Sequence, residues 1–359
     1  MEIRIFGIEN LEDACAVVRK VFSEKACGLL SMGLKYPKQK LLAEAGAGVV
    51  AYEDGAPVGF HAAFPRLMVN RSKTFTYISG SSLGVLTTSK TPLLALRILK
   101  KTQLLPRAGS LFFVGNTINR NRMRLNEMLQ SNYKGPQQCA EKRIMVVRTF
   151  GLLLYLLRTR IFKQSYDVIK CTTNRRAPPF MVKIAEFEVR SLQSIDVNIF
   201  CEFWESYKVD NKGITASRSP EEIEWMFGER VADGRALILG LFSGERMEGY
   251  VIVSTDNGVL WSVKDIIVLG NNLNRLDKLL IGLKRFMLKC TPAVQCQITG
   301  YPTAVQATLS RHFPIKRALD NNQYFIHFQG EAKKLIDVNT LDSIRNWLFG
   351  AYEGDAAML

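Results

Sequence analysis

Short apolar runs alternate with segments of helical periodicity along most of the chain, and one order of elements occurs twice. Residues 47–52 form an apolar run that reaches an Asp-Gly turn and returns as residues 58–64. An Asp-Gly pair between two apolar runs indicates a β-hairpin, because the turn requires positive φ angles. In the other half of the chain, residues 236–242 pass through a second glycine turn and return as residues 248–253. The pattern therefore predicts two similar hairpins.

Each predicted hairpin has the same neighbours in the sequence. An amphipathic helix precedes it, and a strand, a second helix, a further strand and a last helix follow it. In the first half these are helix 11–22, strand 75–85, helix 93–101 and strand 111–114; in the second half they are helix 199–207, strand 259–269, helix 273–289 and strand 293–298. The repeated order predicts a tandem α/β (α+β) fold, with two sheets flanked by helices.

The segment between the halves is basic and rich in leucine. Residues 143–163 predict a linking helix, and the loop 175–179 follows, because its Pro-Pro pair cannot lie inside a helix. A length of 359 residues is also typical of two domains. We therefore divide the chain into an N-terminal domain 1–145, a basic linking helix and loop 146–180, a C-terminal domain 181–330, and a tail 331–359 that packs on the body.

The positive charge is concentrated in one part of the chain. The whole sequence has 48 Lys and Arg against 33 Asp and Glu, a net charge of +15. Between Arg97 and Arg190 there are 19 basic and five acidic residues, so 19 − 5 = 14 of that surplus lies there. Such a field attracts phosphates, nucleic acid or an anionic membrane surface. A solvated face with no partner is the alternative.

Cysteine usage and the absence of targeting signals predict a cytoplasmic protein. The seven cysteines are odd in number and show no CxxC pair, which favours reduced thiols over a disulfide framework or a zinc site. The chain opens without a basic region followed by a long apolar stretch, so we expect no secretion signal. His312 and His327 are isolated from other ligating residues, and we propose no metal site.

A loop between a strand and a helix is the clearest candidate for binding chemistry. Strand 75–85 runs into residues 86–92, directly before helix 93–101. The free backbone N–H groups and the positive dipole end at a helix N-terminus favour an anion there. Lys90 adds a charge to this loop. No glycine-rich Walker or dinucleotide fingerprint occurs in the sequence, which counts against those nucleotide-binding classes.

This layout resembles the GNAT superfamily of acyl-CoA N-acyltransferases in duplicated form. The superfamily's diphosphate loop reads approximately Val-x-Pro-x-x-Arg-x-x-Gly-x-Gly/Ala. Val85, Lys90 and Ala95 fit its Val, Arg and final small residue, whereas Thr87 and Leu93 stand where the family has Pro and the first Gly. In the second half, Gly270-Asn271-Asn272 occupies the equivalent loop and offers backbone N–H groups without the Arg-x-x-Gly-x-Gly/Ala pattern.

The resemblance implies a mixed central sheet in each domain and acetyl-CoA or another acyl-CoA as the co-substrate. The asparagine-led segment 115–122 looks like the next family landmark, in the style of double-GNAT proteins found with polysaccharide biosynthesis. The family's usual Tyr on the following helix is absent, and Asn126 lies near its place. The implied donor-binding residues are Val85, Leu86, Thr87, Lys90, Ala95 and Asn119.

Two residues are candidates for the catalytic base. Asp265 lies in an apolar strand, where desolvation raises the pKa of a carboxyl and suits it to accept a proton from an amine. His61 follows Gly59-Phe60 on a central strand, which faces the acceptor side in GNAT proteins. The alternatives are a hydrogen-bonded structural carboxylate and a satisfied core histidine.

The leading hypothesis is an acyl-CoA-dependent N-acyltransferase acting on an amine of a small or sugar-nucleotide-type acceptor, with a phosphate-bearing donor near the basic first half. One alternative is a degenerate GNAT-fold protein that binds an anionic polymer or membrane surface. Another is an aminoacyl-tRNA-dependent transferase. Residues 150–162 also admit two interpretations, a helix on a membrane surface or a buried interdomain helix, and the buried one is favoured.

Overall fold

The computed structural model describes residues 1–22, 24–37, 46–70, 73–105, 112–117, 133–134, 141–157, 159, 179–211, 214–299, 305–318 and 323–328. Its strands are β1 (Glu2–Ile5), β2 (Gly48–Glu53), β3 (Ala56–Asn70), β4 (Lys73–Val85), β5 (Phe112–Thr117), β6 (Tyr133–Lys134), β7 (Glu141–Val146), β8 (Met181–Ile184), β9 (Phe187–Leu192), β10 (Ile214–Ala216), β11 (Ala236–Ser243), β12 (Arg246–Thr255), β13 (Leu260–Val268), β14 (Gln295–Thr299), β15 (Ile315–Ala318) and β16 (Gln323–Phe328). Its helices are α1 (Leu11–Val21), α2 (Glu24–Leu34), α3 (Leu94–Gln103), α4 (Thr149–Leu156), α5 (Val197–Asp210), α6 (Pro220–Ala232), α7 (Leu273–Cys290) and α8 (Gln306–His312).

The strands form two mixed sheets with a shared central arrangement. The first sheet has the order β1-β2-β3-β4-β5-β16-β6, with β10 paired to β3, and the second has the order β15-β7-β14-β13-β12-β11-β9-β8. Strands β4 and β5 are parallel, as are β13 and β14, and the other pairs are antiparallel. In both sheets a helix, α3 or α7, connects the parallel pair. The predicted α/β fold with two mixed sheets is confirmed.

Local sequence explains why the connecting helices form where they do. On α7, apolar residues at helical spacing are buried against the second sheet, namely Leu276, Leu279, Leu280, Leu283 and Phe286. The side chain of Asn272 accepts from the backbone N–H groups of Asn274 and Arg275, which caps the start of the helix. The apolar stripe and the cap together fix the position of α7 next to the end of β13.

Each sheet takes in part of the opposite half of the chain, and the first sheet takes two such strands, β10 and β16. Strand β7 lies in the second sheet, antiparallel to β14, and β16 lies in the first sheet, antiparallel to β5. The division of the chain at residues 145 and 180 did not anticipate this exchange. The predicted linking helix 143–163 is wrong at its start, because residues up to Val146 form β7 and the helix α4 begins at Thr149. Burial of Ile144 and Met145 stabilises the strand instead.

We call the first sheet with α1–α3 the first lobe, and the second sheet with α5–α8 the second lobe. One buried cluster contains residues of both lobes. Met68 and Tyr77 of the first sheet pack with aromatic residues of the second lobe, among them Phe203, Trp204, Tyr207, Phe227 and Tyr250. Strand β10 adds backbone pairing, because Ile214–Ala216 pairs with β3. A shared apolar core and a shared sheet edge fix the lobes relative to one another.

Helix α4 is not buried between the lobes, so the favoured buried interpretation is wrong for the part that the structure describes. None of its residues is buried, and Phe150, Leu153, Leu154 and Leu156 are exposed. High hydropathy alone cannot distinguish a core helix from a surface helix, which is why the sequence misled here. The predicted tail 331–359 and most of the loop after α4 lie outside the described residues.

The described cysteines are free thiols: Cys15, Cys27, Cys201, Cys290 and Cys296. Burial raises the pKa of the Cys296 thiol to about 12. Within the described ranges, no group of three or more His, Cys, Asp and Glu residues is arranged to hold a metal ion. A search of the same residues finds no helix with the length and apolarity needed to span a membrane.

Candidate functional site

In the first lobe, β4 carries a β-bulge and then separates from β5. His61 pairs with Leu83 and Ala62 with Ser81, so the ladder passes over Ser82. The parallel ladder between β4 and β5 ends at the Gly80–Gly115 pair, although β4 continues to Val85. A bulged residue has its backbone N–H outside the ladder and increases the local twist. The two strands therefore diverge beyond Gly80, and the bulge lies where they diverge.

The second lobe repeats this geometry. Ile252 pairs with Asp265 and Val253 with Val263, so the ladder between β12 and β13 passes over Lys264. The parallel ladder between β13 and β14 ends at the Ser262–Gln297 pair. The fold thus presents two diverging strand pairs, and the loops that follow them decide which is suited to a phosphate-bearing ligand.

The loop after β4 already holds an anion from the protein itself. The Glu53 carboxylate, at the end of β2, accepts hydrogen bonds from the Ser89 hydroxyl at 2.8 Å and from the backbone N–H groups of Lys90 at 3.0 Å and Thr91 at 2.9 Å. Hydrogen bonds from Thr91, Lys90 and Ser89, in that order, lower the pKa of Glu53 to about 2. The loop therefore stabilises the negative charge of Glu53.

The start of α3 has no side-chain cap. Its N-cap residue is Leu93, which has a left-handed φ of 55° and makes no capping hydrogen bond. No acidic residue lies in the first helical turn. The first N–H groups of a helix have no partner within the helix, and they carry the positive end of its dipole. The α3 N-terminus therefore offers backbone donors toward the end of β4.

The equivalent loop in the second lobe is closed by its own side chains. Asn272 caps α7, as described above. The Arg275 guanidinium donates from Nη1 to the Leu269 carbonyl at 3.0 Å, and its Nη2 lies 2.8 Å from Oε2 of Glu248. Glu248 is buried and next to this loop. The start of this helix is therefore already capped by a side chain, whereas the start of α3 is not.

The structure brings most of the predicted donor-binding residues together. Val85, Leu86 and Thr87 lie at the end of β4, Lys90 in the loop and Ala95 in the first turn of α3. The Leu86 N–H donates to the Val58 carbonyl at 2.8 Å, and its side chain packs against the first-lobe core. Thr87 and Lys90 are exposed, and Ala95 is half-buried. Asn119 lies outside the described residues.

His61 is fully buried on β3 and faces α3. Its Nδ1 lies 3.1 Å from the Thr102 hydroxyl oxygen, and that hydroxyl donates to the Ile98 carbonyl at 2.9 Å. Because the hydroxyl proton is already used, Nδ1 carries the ring proton and donates to Thr102. This contact fastens the sheet to α3.

Asp265 is held by three hydrogen bonds from two side chains. Arg218 donates from Nε to Oδ2 at 2.9 Å and from Nη2 to Oδ1 at 3.0 Å, and the Tyr250 hydroxyl donates to Oδ2 at 2.6 Å. Arg218 also contacts the Thr215 hydroxyl and the Ala216 carbonyl, both on β10. Since β10 pairs with the first sheet, this ion pair links the centre of the second sheet to the first lobe.

Sequence reasoning missed the partners of these groups. Glu53 lies 37 positions before Lys90, and Arg218 lies 47 before Asp265. A second buried pair across the lobes, Arg66 with Glu222 at 3.9 Å, was missed for the same reason. The only sequence signal for the Arg218–Asp265 pair is an acidic residue in an apolar strand, which requires a buried partner.

Comparison with known proteins defines the fold further. No protein-family model matches the sequence, and no curated protein matches it. Solved structures do match: N-myristoyltransferase from Saccharomyces cerevisiae with bound myristoyl-CoA is 11% identical, with a TM-score of 0.58, over 97% of this chain and 89% of that one. A putative acetyltransferase from Pyrococcus horikoshii is 12% identical, with a TM-score of 0.52, over 97% of this chain and 94% of that one.

A GCN5-related N-acetyltransferase from Kribbella flavida is 9% identical, with a TM-score of 0.51, over 91% of this chain and 69% of that one. At these identities the likeness shows the fold, which is the GNAT fold that the sequence resembled.

Proposed function

We propose that the protein is an N-acyltransferase that takes its acyl group from acyl-CoA bound to the first lobe. The observation that carries this proposal is the end of β4: a bulge, a divergence from β5 and an uncapped helix start occur together there. The second lobe shares the bulge and the divergence, but Asn272 caps its helix. The GNAT fold supports the proposal, since solved structures with this fold include N-acetyltransferases and an N-myristoyltransferase with bound myristoyl-CoA.

In this proposal the residues at the end of β4 divide the work of holding the donor. The first N–H groups of α3 and the Lys90 ammonium would hold the diphosphate, because a helix start and a nearby cation favour an anion. The N–H at the Ser82 bulge would donate to the acyl carbonyl oxygen, where negative charge develops during transfer. The neutral amine attacks the acyl carbon directly, the bond between that carbon and sulfur breaks, and coenzyme A leaves as a thiolate that takes up the proton released by the amine nitrogen. No covalent enzyme intermediate is required.

We assign structural roles to the two candidate bases. Both carboxylate oxygens of Asp265 are engaged by Arg218, so proton transfer to Asp265 would disrupt a buried ion pair. His61 is fully buried, and its Nδ1–H donates to the Thr102 hydroxyl oxygen. Both residues then serve to position β3, α3 and the lobes around the donor.

The acceptor in this proposal is an amine on a small or sugar-nucleotide-type molecule. The basic surplus between Arg97 and Arg190 supports an acceptor or donor that carries phosphate, because a field of one sign concentrates ligands of the opposite sign. A polysaccharide precursor is one molecule of this class.

Isothermal calorimetry with acetyl-CoA and with myristoyl-CoA tests the proposal. We expect at least one of them to bind, and Lys90→Ala to weaken that binding about fivefold, because it removes one partly screened charge. Lys100→Ala, an exposed lysine in the last turn of α3, is the matched control and should bind like the parent. No heat with either donor would favour the degenerate binding protein. Salt-steep binding to tRNA without a response to acyl-CoA would favour the tRNA-dependent transferase.

A substitution of Glu53, which contacts the same loop, is expected to change the affinity for coenzyme A in the opposite direction to Lys90→Ala. Glu53→Gln is expected to raise the affinity for coenzyme A about fivefold, because it removes a negative charge from the loop that receives the diphosphate. In the place of Oε1, the glutamine amide oxygen still accepts from the Thr91 N–H and the Ser89 hydroxyl, and only the bond from the Lys90 N–H to Oε2 is lost, so the loop keeps most of its contacts. Calorimetry on the two proteins side by side measures the change. Weaker binding by the variant would show that the carboxylate organises the donor site instead of competing for it.

A further inference from the structure

Helix α4 presents an apolar surface to solvent. Phe150 is 71% exposed, Leu153 is 54% exposed, and Leu154 and Leu156 are exposed as well. None of the eight residues of α4 is buried. A helix that is apolar on all sides normally lies inside a core or in lipid, since water solvates such a surface poorly. We therefore expect a binding partner to cover this apolar surface.

The helix is fastened to the protein at its start, which directs its apolar residues outward. The Arg148 guanidinium donates to the Ala293 carbonyl at 2.6 Å and to the Leu288 carbonyl at 2.7 Å. A Cβ on Gly151 would lie 2.9 Å from Cγ1 of Val294, so α4 rests against the protein at this glycine. The exposure of Phe150 and Leu153 is thus a consequence of a defined attachment.

The sequence that contains α4 is basic. Between residues 148 and 166 it has four basic residues and no acidic one: Arg148, Arg158, Arg160 and Lys163. The end of α7, which receives the Arg148 hydrogen bond, adds Arg285, Lys289 and the 42%-exposed Leu288. Apolar side chains flanked by lysine and arginine are the features by which a helix binds the interface of an anionic bilayer.

We infer that α4 docks the protein on the surface of a membrane that contains anionic lipid, with Phe150, Leu153 and Leu154 entering the headgroup region. Charge selects this occupant over a second copy of the chain. A symmetric dimer through α4 would bring two identical basic patches together, in a protein whose net charge is +15, and like charges facing each other oppose association. An anionic bilayer satisfies the apolar and the basic groups at once. This inference is independent of the proposed acyl transfer.

Flotation with vesicles tests it, using phosphatidylcholine alone and phosphatidylcholine with about one third phosphatidylglycerol, a composition chosen for its negative surface potential. We expect the full-length protein to float with the anionic vesicles and not with the neutral ones, and the bound fraction to fall as salt is raised. Phe150→Ser is expected to lower the partition coefficient about tenfold, because it removes the most exposed ring from the interface.

The matched control is Val209→Ser on α5, which removes an apolar side chain that is 85% exposed at another place. It should float like the parent, and both variants should keep the parent's circular dichroism. Equal flotation of Phe150→Ser and the parent would overturn the inference, as would failure of the parent to bind anionic vesicles. A dimer that light scattering detects in the parent and that Phe150→Ser dissolves would assign the surface to a second copy and also overturn it.

Discussion

Ala95→Glu is expected to weaken coenzyme A binding by at least about a hundredfold without loss of the fold, since it places a negative charge where the diphosphate is received. Ala95 is the second residue of α3 and is half-buried, so the new carboxylate would meet the same N–H groups as the ligand. An acidic side chain in the first turn of a helix interacts favourably with its dipole, so the variant should be as stable as the parent. Calorimetry with coenzyme A, alongside a thermal melt, measures both quantities.

Lys100→Glu is the control for this prediction. It also introduces a glutamate on α3, but in the last turn, and it changes the net charge by more than Ala95→Glu does. If both variants lose a similar amount of affinity for coenzyme A, binding depends on the overall electrostatic field of the protein and not on the start of α3. If Ala95→Glu binds coenzyme A like the parent, the start of α3 is not part of the donor site.

Arg218→Met is expected to lower the free energy of unfolding by about 3–5 kcal/mol, because it leaves the buried Asp265 carboxylate without its cation. Both side chains of this pair are 3% exposed, so water cannot replace the lost contact at low cost. The effect should also reach the lobe contact, since Arg218 bonds to β10. Urea unfolding followed by tryptophan fluorescence measures the change.

Two further variants show whether the loss of stability comes from the broken ion pair or from a non-specific effect of the substitution. Removing both charges in Arg218→Met with Asp265→Leu should recover most of the loss, since no unpaired charge remains. Arg235→Ala breaks a half-exposed pair with Asp233 and should cost less than about 1 kcal/mol. If Arg218→Met costs no more than Arg235→Ala, the buried pair does not hold the second sheet to β10.

The repeated fold was predictable because its signals are local. Hairpin turns, period-two strands and the apolar stripe of α7 all lie within short windows, and the predicted helix 273–289 matches α7 almost to its ends. The exchange of β7 and β16 was not predictable in this way. Which sheet a strand joins depends on partners far along the chain, and the apolar residues of β7 suit either sheet.

The candidate site likewise has a part that local sequence predicts and a part that depends on contacts between distant segments. The loop after β4 and the start of α3 follow from a strand that runs into a helix, and both lie where the sequence placed them. The contact of Glu53 with that loop did not follow, because β2 and the loop become neighbours only when the sheet forms. The pairing of Asp265 with Arg218 depends on the same kind of long-range contact. The structural roles of Asp265 and His61 thus depend on their buried hydrogen-bond partners, Arg218 and Thr102, which the sequence alone does not identify.

Hydrogen–deuterium exchange of the whole protein, with and without saturating coenzyme A, shows which lobe binds the donor. If the first lobe holds the donor, protection will appear in peptides that span residues 86–96, where the loop and the α3 start lie. Peptides that span residues 269–276, the equivalent segment of the second lobe, will exchange at the same rate in both conditions. Protection of residues 269–276 without a change at residues 86–96 would place the donor in the second lobe instead.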